Sequence, residues 1–296
     1  TVRYARENNI QVRKSKVSEE GYSIDVLQSK AELFPSLTGT VSQEYGNARS
    51  DNGNGSYKGT FAGNYGLNAS VTLYNGKRNV NNIKQAKLNK SAEEFNTREI
   101  QNDIEISIVQ AYLQMLYSRE SIKNNENILE SSAAQLAQSK IYLDAGTINK
   151  SEYAQVEAQY SADKYNLVQS QNSFDSYKLQ LKQLLELEYN EEFEPDFPEI
   201  DDQQVLNILP SKGEVYTHAL NAMPQMESGK LGVEIANLEK SSAKAGYLPT
   251  LSLTGSIGTS NIYDESPSFT SQLSRNFNQR LGLTLSIPIF DNRQNK

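Results

Sequence analysis

Two stretches of this chain, residues 77–145 and 147–194, contain neither glycine nor proline, and a single residue, Gly146, separates them. Glycine and proline are the residues that interrupt helices, so the pair reads as two very long helices reversing at one turn. At about 1.5 Å per residue, a helix over residues 77–144 would run roughly 100 Å. Such helices belong to coiled-coil-like hairpins rather than to globular cores. Apolar residues recur at helical spacing through Ile100, Ile104, Ile108, Tyr112, Met115 and Leu116, while Gln, Asn, Lys and Glu fill the other faces. Small residues at Ala133, Ala134, Ala137, Ala154 and Ala158 permit close helix contact and read as packing surfaces. The turn spans residues 144–149, and Ser151 and Glu152 open the return helix as N-terminal caps.

An internal repeat frames these helices, at an offset near 214 residues. Leu33-Phe34-Pro35-Ser36-Leu37 matches Tyr247-Leu248-Pro249-Thr250-Leu251, and the run from Gly66 to Asn75 matches the run from Gly282 to Asp291. Residues 5–31 pair more weakly with residues 219–245. The first copy continues into the long helical stretch, whereas the second reaches Lys296 where such a stretch is due. The expectation is a chain truncated before a second helical hairpin of about 110 residues, if the two copies are equal in length.

Both copies also contain strands. Phe61, Gly63, Tyr65, Leu67, Ala69, Val71 and Leu73 alternate with Thr60, Ala62, Asn64, Gly66, Asn68, Ser70 and Thr72. That alternation is long for a soluble strand. Leu281, Leu283, Leu285, Ile287 and Ile289 repeat it against Thr284 and Ser286. Their partners are Leu37 and Val41 against Thr38, Thr40 and Ser42, and Leu251, Leu253 and Ile257 against Ser252, Thr254 and Ser256. Pro35 and Pro249 disfavour helix in the residue before them and mark each switch from helix to strand. Residues 46–57 and 259–276, rich in Gly, Asn, Ser and Asp, read as hairpin loops.

Composition excludes several functions. With 36 acidic and 29 basic residues the formal charge is −7, which argues against nucleic acid as the main partner. There is no cysteine and one histidine, His218, leaving little material for zinc or nucleophilic catalysis. His218, without a nucleophile constellation, reads as a surface or packing residue. The acidic run at 186–202 does not fit the ligand spacing of an EF-hand and reads as a solvated connector through Pro195 and Pro198. Asp51-Asn52-Gly53-Asn54-Gly55 lacks the strand–loop–helix context of a phosphate cradle and reads as a hairpin turn. Catalytic, cofactor and metal sites are therefore all expected to be absent. No apolar run reaches the length of a transmembrane helix, the N-terminus lacks a signal peptide's apolar core, and 37% hydrophobic content suits an elongated chain.

A soluble sandwich also shows alternating strands. Here the strands are long and bordered by Phe34, Tyr45, Phe61, Tyr74, Tyr247, Phe269, Phe277 and Phe290, as the interfacial girdles of membrane barrels are. Strands that meet lipid must close into a barrel. Four cannot close alone; shared among two chains they would fill their own interior, and among three they would leave a bore.

Two β-hairpins, each after a shorter helix and before a very long helical hairpin, resemble the outer-membrane efflux protein (TolC) family. Leu-Pro-Thr-Leu-Ser-Leu-Thr at 248–254, Leu-Ser-Ile-Pro-Ile-Phe at 285–290 and Ala-Gly-Thr-x4-Glu at 145–152 resemble its landmarks. The resemblance implies a mixed α+β membrane protein: a long helical hairpin forming part of a periplasmic tunnel wall, with four strands given to a trimer's twelve-strand outer-membrane barrel. The segments are then a leading helix (1–33), first barrel hairpin (34–75), helical hairpin (76–186), acidic equatorial linker (187–215), second leading helix (216–246), second barrel hairpin (247–290) and the start of a further helical hairpin (291–296). It also implies an inner-membrane pump that supplies energy and a periplasmic adaptor that docks at the tip. Ala145, Gly146 and Thr147 fall on the family's Val-Gly-Leu-like tip motif, with Ala and Thr in place of Val and Leu. Ser151 and Glu152 fall on a Thr-Asp pair that helps hold the tip closed. Leu67, Val71, Leu283 and Ile287 are expected to face lipid, and Thr38, Thr40, Asn68, Ser70, Ser252, Thr254, Thr284 and Ser286 the lumen.

Three functional classes compete: a transport conduit of an efflux or type I secretion system, an envelope coiled-coil protein without a barrel, and an enzyme. The second leaves the strand alternation unexplained, and the third has no supporting residues.

Overall fold

The computed structural model describes residues 2–49, 57–188, 190–197, 210–263 and 267–290. The elements run α1 (Val2–Asn8), α2 (Ile10–Ala31), β1 (Ser36–Arg49), β2 (Tyr57–Asn75), α3 (Arg78–Asp144), α4 (Lys150–Leu184), α5 (Lys212–Ala222), α6 (Pro224–Ala245), β3 (Thr250–Ile262), α7 (Phe269–Arg275) and β4 (Asn278–Ser286). They form two compact units, one of residues 1–18 and 94–226, the other of residues 19–93 and 227–296.

The repeat is visible in the backbone. Helices α2 and α6 are both 22 residues long and begin and end 214 residues apart. Each follows a shorter helix after a single interrupting residue, Asn9 in one copy and Met223 in the other. The causes of the two interruptions differ. The Asn9 side chain accepts a hydrogen bond from the Gln11 amide at 2.9 Å, a local bond that starts a new helix. Pro224 occupies the first position of α6, where its missing N–H has no consequence. The exits match as well: the Phe34 amide donates to the Ala31 carbonyl at 2.9 Å and the Leu248 amide to the Ala245 carbonyl at 3.0 Å. The second leading helix thus differs from the single span expected over 216–246, being two helices that start at Lys212. Ser211 and Glu214 form a capping box at that start, and the two hydrogen bonds from Ser211 hold the Glu214 carboxyl below its usual value.

In the first unit, Ile104, Ile108, Ala111 and Met115 of α3 recur at intervals of four, three and four, which is one helical face. They are buried together with Ala5, Val12, Leu181 and Leu185. Full burial of a side chain such as Met115 or Leu181 stabilises by about 1.5–3 kcal/mol. The Arg6–Glu105 ion pair, 2.7 Å long, is too exposed to match that. Of the alanines read as packing surfaces, Ala133 is half-buried and Ala134, Ala137, Ala154 and Ala158 are exposed in the single chain; the small residues buried on α3 include Thr97, Ala111, Ser118 and Ser132.

The acidic run was expected to be a solvated connector. Residues 190–197 instead pack on the first unit, because Phe193 and Phe197 alternate with the acids and reach its core. Phe197 stacks on Tyr112 with ring centroids 6.0 Å apart and lies 6.3 Å from Phe174. The Arg119 guanidinium sits 4.5 Å over the same ring, and the Tyr112 hydroxyl donates to the Asp196 carbonyl at 2.8 Å. Residues 198–209 of the connector lie outside the described residues.

In the second unit the strands form one antiparallel sheet in the order β1-β2-β3-β4. Two loop expectations change. β1 continues to Arg49 and β2 begins at Tyr57, so strand pairing extends into the segment read as a loop; the turn at residues 51–55 lies outside the described residues. In the second hairpin, β3 extends to Ile262 and the connection contains α7. The alternation in β2 also breaks once. Thr72 pairs with Ser252 and Tyr74 with Leu251, leaving Leu73 as the extra residue of a bulge. Finally, β4 ends at Ser286, so Ile287, expected on a strand, lies one residue beyond it. Pro288 has no N–H to continue the ladder.

Candidate functional site

Two regions carry the candidate residues. The first is the turn between α3 and α4. Gly146 has φ +72°, its amide donates to the Leu143 carbonyl at 3.0 Å, and the Thr147 amide donates to the Tyr142 carbonyl at 2.9 Å. This pair of bonds is a Schellman motif, which satisfies carbonyls that the helix end leaves free. The Thr147 hydroxyl adds a third bond to the same Tyr142 carbonyl, also at 2.9 Å. A Cβ at Gly146 would meet nothing within 4 Å, so the backbone angle, not crowding, requires glycine there.

The return helix is started by Asn149, not by Ser151. The Asn149 side chain accepts from the Glu152 amide, and the Glu152 carboxylate accepts from the Asn149 amide. Asn149 was missed as a candidate, although Asn-x-x-Glu before a long helix is the signal of a capping box. Ala145, Gly146, Thr147, Ser151 and Glu152 are all exposed. Beside them, Ile141 is exposed and Tyr142 is held by a 2.8 Å hydrogen bond from Gln138.

The second region is the sheet. Register brings Thr38, Asn68 and Ser256 into one cross-strand row and Ser36, Ser70 and Thr254 into the next; Ser252 pairs with Thr284 and Thr250 with Ser286. Thr40, opposite Gly66, shares this polar face. The opposite face carries Leu37 and Ala69, Leu67 and Ile257, and the rung Val71, Leu253 and Leu283. Most of this apolar face is open. Leu37 is 72% exposed, Val41 74% and Leu281 81%. The outer edges of β1 and β4 have no strand partner among the described residues.

Nothing in either region resembles catalytic machinery. Among the described residues there is no group of three His, Cys, Asp or Glu side chains able to hold a metal ion, and no helix is long and apolar enough to cross a membrane. His218 is exposed on α5.

Comparison with known proteins gives one family match: the outer membrane efflux protein family, over residues 1–186. No curated protein sequence matches the chain. Solved structures do. The crystal structures of CusC, described for the conformational changes accompanying its folding and transmembrane channel formation, superpose with a TM-score of 0.81 at 19% identity, over 99% of this chain and 66% of that one. The Campylobacter jejuni CmeC outer membrane channel gives 0.79 at 18% identity, over 99% and 62%. The open state of the Neisseria gonorrhoeae MtrE outer membrane channel gives 0.76 at 19% identity, over 99% and 64%. The chain therefore spans about two thirds of the length of these channels, and at such identities the likeness is one of fold.

Proposed function

The chain belongs to the outer membrane efflux protein family, and on that premise we propose that it forms most of one subunit of an outer-membrane exit duct. Three subunits would close one barrel of twelve strands, with the helical hairpins as the wall of a periplasmic tunnel. The apolar face of the sheet would meet lipid through Leu67, Val71 and Leu283, with Ile287 just past the strand end. The polar face, with Thr38, Thr40, Asn68, Ser70, Ser252, Thr254, Thr284 and Ser286, would line the bore. Conduction would be passive. An inner-membrane pump would supply the energy, and a periplasmic adaptor would dock at the turn around Ala145, Gly146, Thr147, Ser151 and Glu152.

One observation carries the reading: a four-stranded sheet with an open apolar face and, among the described residues, no strand paired to either edge. In water such a face and such edges are aggregation hazards. In a bilayer the apolar face is satisfied by lipid, and the edges by the sheets of neighbouring subunits. An envelope coiled-coil protein without a barrel has no use for either feature.

The test is the mass of the full-length protein, extracted in detergent and measured with detergent subtracted. Three chains are expected. A stable monomer that keeps its strands overturns the proposal.

A further inference from the structure

Residues 267–277, in the connection between β3 and β4, fold back onto the sheet. Phe269 at the start of α7 meets Tyr65 edge-on at 6.5 Å and stacks on Tyr263 at 6.4 Å. The Thr259 hydroxyl donates to the Leu273 carbonyl at 2.6 Å. Gln272, itself buried, accepts from the Ile262 amide and donates to the Ile262 carbonyl. Tyr65 and Thr259 belong to the apolar face, since Tyr65 pairs with both Val41 and Thr259, and Tyr263 follows the end of β3, its amide donating to the Phe61 carbonyl at 2.8 Å. Helix α7 is therefore fixed to the face read above as lipid-facing, at the loop end of the strands.

The character of that face changes at this level. Below it the rungs are Leu67 with Ile257, Ala69 with Leu37, and Val71 with Leu253. At it, Gln43 donates to the Tyr65 hydroxyl at 2.8 Å, and Gln43 and Asn261 flank Gly63 from the two neighbouring strands. A Cβ at Gly63 would come within 2.4 Å of the Asn261 oxygen and 2.9 Å of the Gln43 nitrogen, so two amides occupy the space above this glycine. Asn261 is buried, whereas Gln43 is exposed, and an exposed amide is costly in hydrocarbon and suited to headgroups. From Tyr65 down to Tyr74, nine residues of β2 span about 30 Å, or roughly 23 Å along the normal at a typical strand tilt. That matches the apolar band of about 25 Å seen in outer-membrane barrels.

We propose that α7 is an interfacial anchor: Phe269, Tyr263 and Phe277 lie at headgroup depth in the bilayer leaflet on the loop side, and α7 marks the edge of the hydrocarbon. Phe269, Tyr263 and Phe277 are each about half exposed, and aromatic rings with a polar edge favour that depth. The occupant of their open side is the lipid headgroup layer, continuous with the lipid beneath. The inference rests on the assignment of the apolar face to lipid, and its test separates the two.

The sequence contains no tryptophan, so a tryptophan placed in the full-length protein is a site reporter, after subtraction of the unsubstituted protein. Phe269→Trp, Val71→Trp and Ser70→Trp would be reconstituted in phosphatidylcholine bilayers brominated either near the headgroup or deep in the chain. Phe269→Trp is expected to lose about half its emission to the shallow bromines and less to the deep ones, as an interfacial aromatic would. Val71→Trp should show the reverse, and Ser70→Trp should respond only to aqueous iodide. Quenching of Phe269→Trp by iodide alone, with Val71→Trp still quenched by deep bromines, places α7 in water and overturns the anchor. Shielding of Phe269→Trp from every quencher places it against another copy of the chain and overturns it equally. Loss of lipid quenching at Val71→Trp overturns the face assignment, and the anchor with it.

Discussion

Asn149 and Glu152 hold each other at both ends of one helix start, the side chain of each accepting the backbone N–H of the other at 2.9 Å. The family resemblance implies that Glu152 belongs to a pair that keeps the tip closed. The capping box gives its carboxylate a role inside its own subunit. The two roles separate by substitution. Glutamine keeps the acceptor and loses the charge, whereas alanine loses both. If capping is what Glu152 does, Glu152→Gln leaves passive uptake of large antibiotics unchanged, and Glu152→Ala and Asn149→Ala raise it to similar extents. Asn149→Ala should cost about 1 kcal/mol at the helix start. An increase in uptake for Glu152→Gln equal to that for Glu152→Ala would instead assign the effect to charge at the closed tip.

Gly146 allows a second separation. Because nothing stands within 4 Å of its absent Cβ, Gly146→Ala should cost only the left-handed backbone, about 1 kcal/mol, and Gly146→Asn less. Gly146→Val combines that cost with bulk on the exposed rim. The expected outcome is normal assembly for all three variants, with adaptor cross-linking and export lost only in Gly146→Val. Full export by Gly146→Val would show that the turn does no more than reverse the chain.

The sheet faces are tested at adjacent residues. Val71 lies on a rung with Leu253 and Leu283, while Ser70 lies between Ser36 and Thr254. Val71→Arg should lose roughly 2–4 kcal/mol of barrel stability if it sits near the bilayer midplane, and Ser70→Arg should be tolerated in a wetted bore. The readout is the fraction of protein folded in the outer-membrane fraction. Equal defects for the two variants would remove the assignment of the faces.

What the sequence disclosed and what it hid follow from the same physics. The helical hairpin was legible because helix-breaking residues are few and Gly146 stands alone between two long stretches. The two sheet faces were legible because a strand's period of two repeats over many residues. The bulge at Leu73 was hidden, since a single extra residue shifts pairing without altering composition. Helix α7 was hidden for a different reason: seven residues, Phe-Thr-Ser-Gln-Leu-Ser-Arg, are too few to show a helical period, and tertiary contacts with Tyr65, Thr259, Ile262 and Tyr263 hold them. Asn149 has a sequence signal, Asn-x-x-Glu, but Ser151 two residues on is an equally good capping type, and only the backbone shows which of them starts the helix. The packing of residues 190–197 was obscured by acids, which outnumber the two phenylalanines that decide the outcome.

Phe197 touches three side chains from two helices, Tyr112 and Arg119 of α3 and Phe174 of α4, so the segment at 190–197 ties the pair of helices together at that level. Truncation to alanine removes the ring from between Tyr112 and Phe174 and leaves Arg119 without its aromatic face. A large-to-small change of this kind costs about 3 kcal/mol or more when the ring is fully buried. For this partly buried ring the expected cost is about 2 kcal/mol, with about 0.5–1 kcal/mol of it shared with Arg119 in a double-mutant cycle. If cleavage of the connector is limited by its opening, a loss of that size raises the proteolysis rate roughly thirtyfold. Tyr112→Phe keeps the ring but loses the bond to the Asp196 carbonyl, and should raise the rate by only several-fold. Limited proteolysis of the full-length protein in detergent reads both. A cleavage rate in Phe197→Ala no higher than in the parent protein would mean that the segment is held from elsewhere, and that the aromatic cluster does not tie the helices.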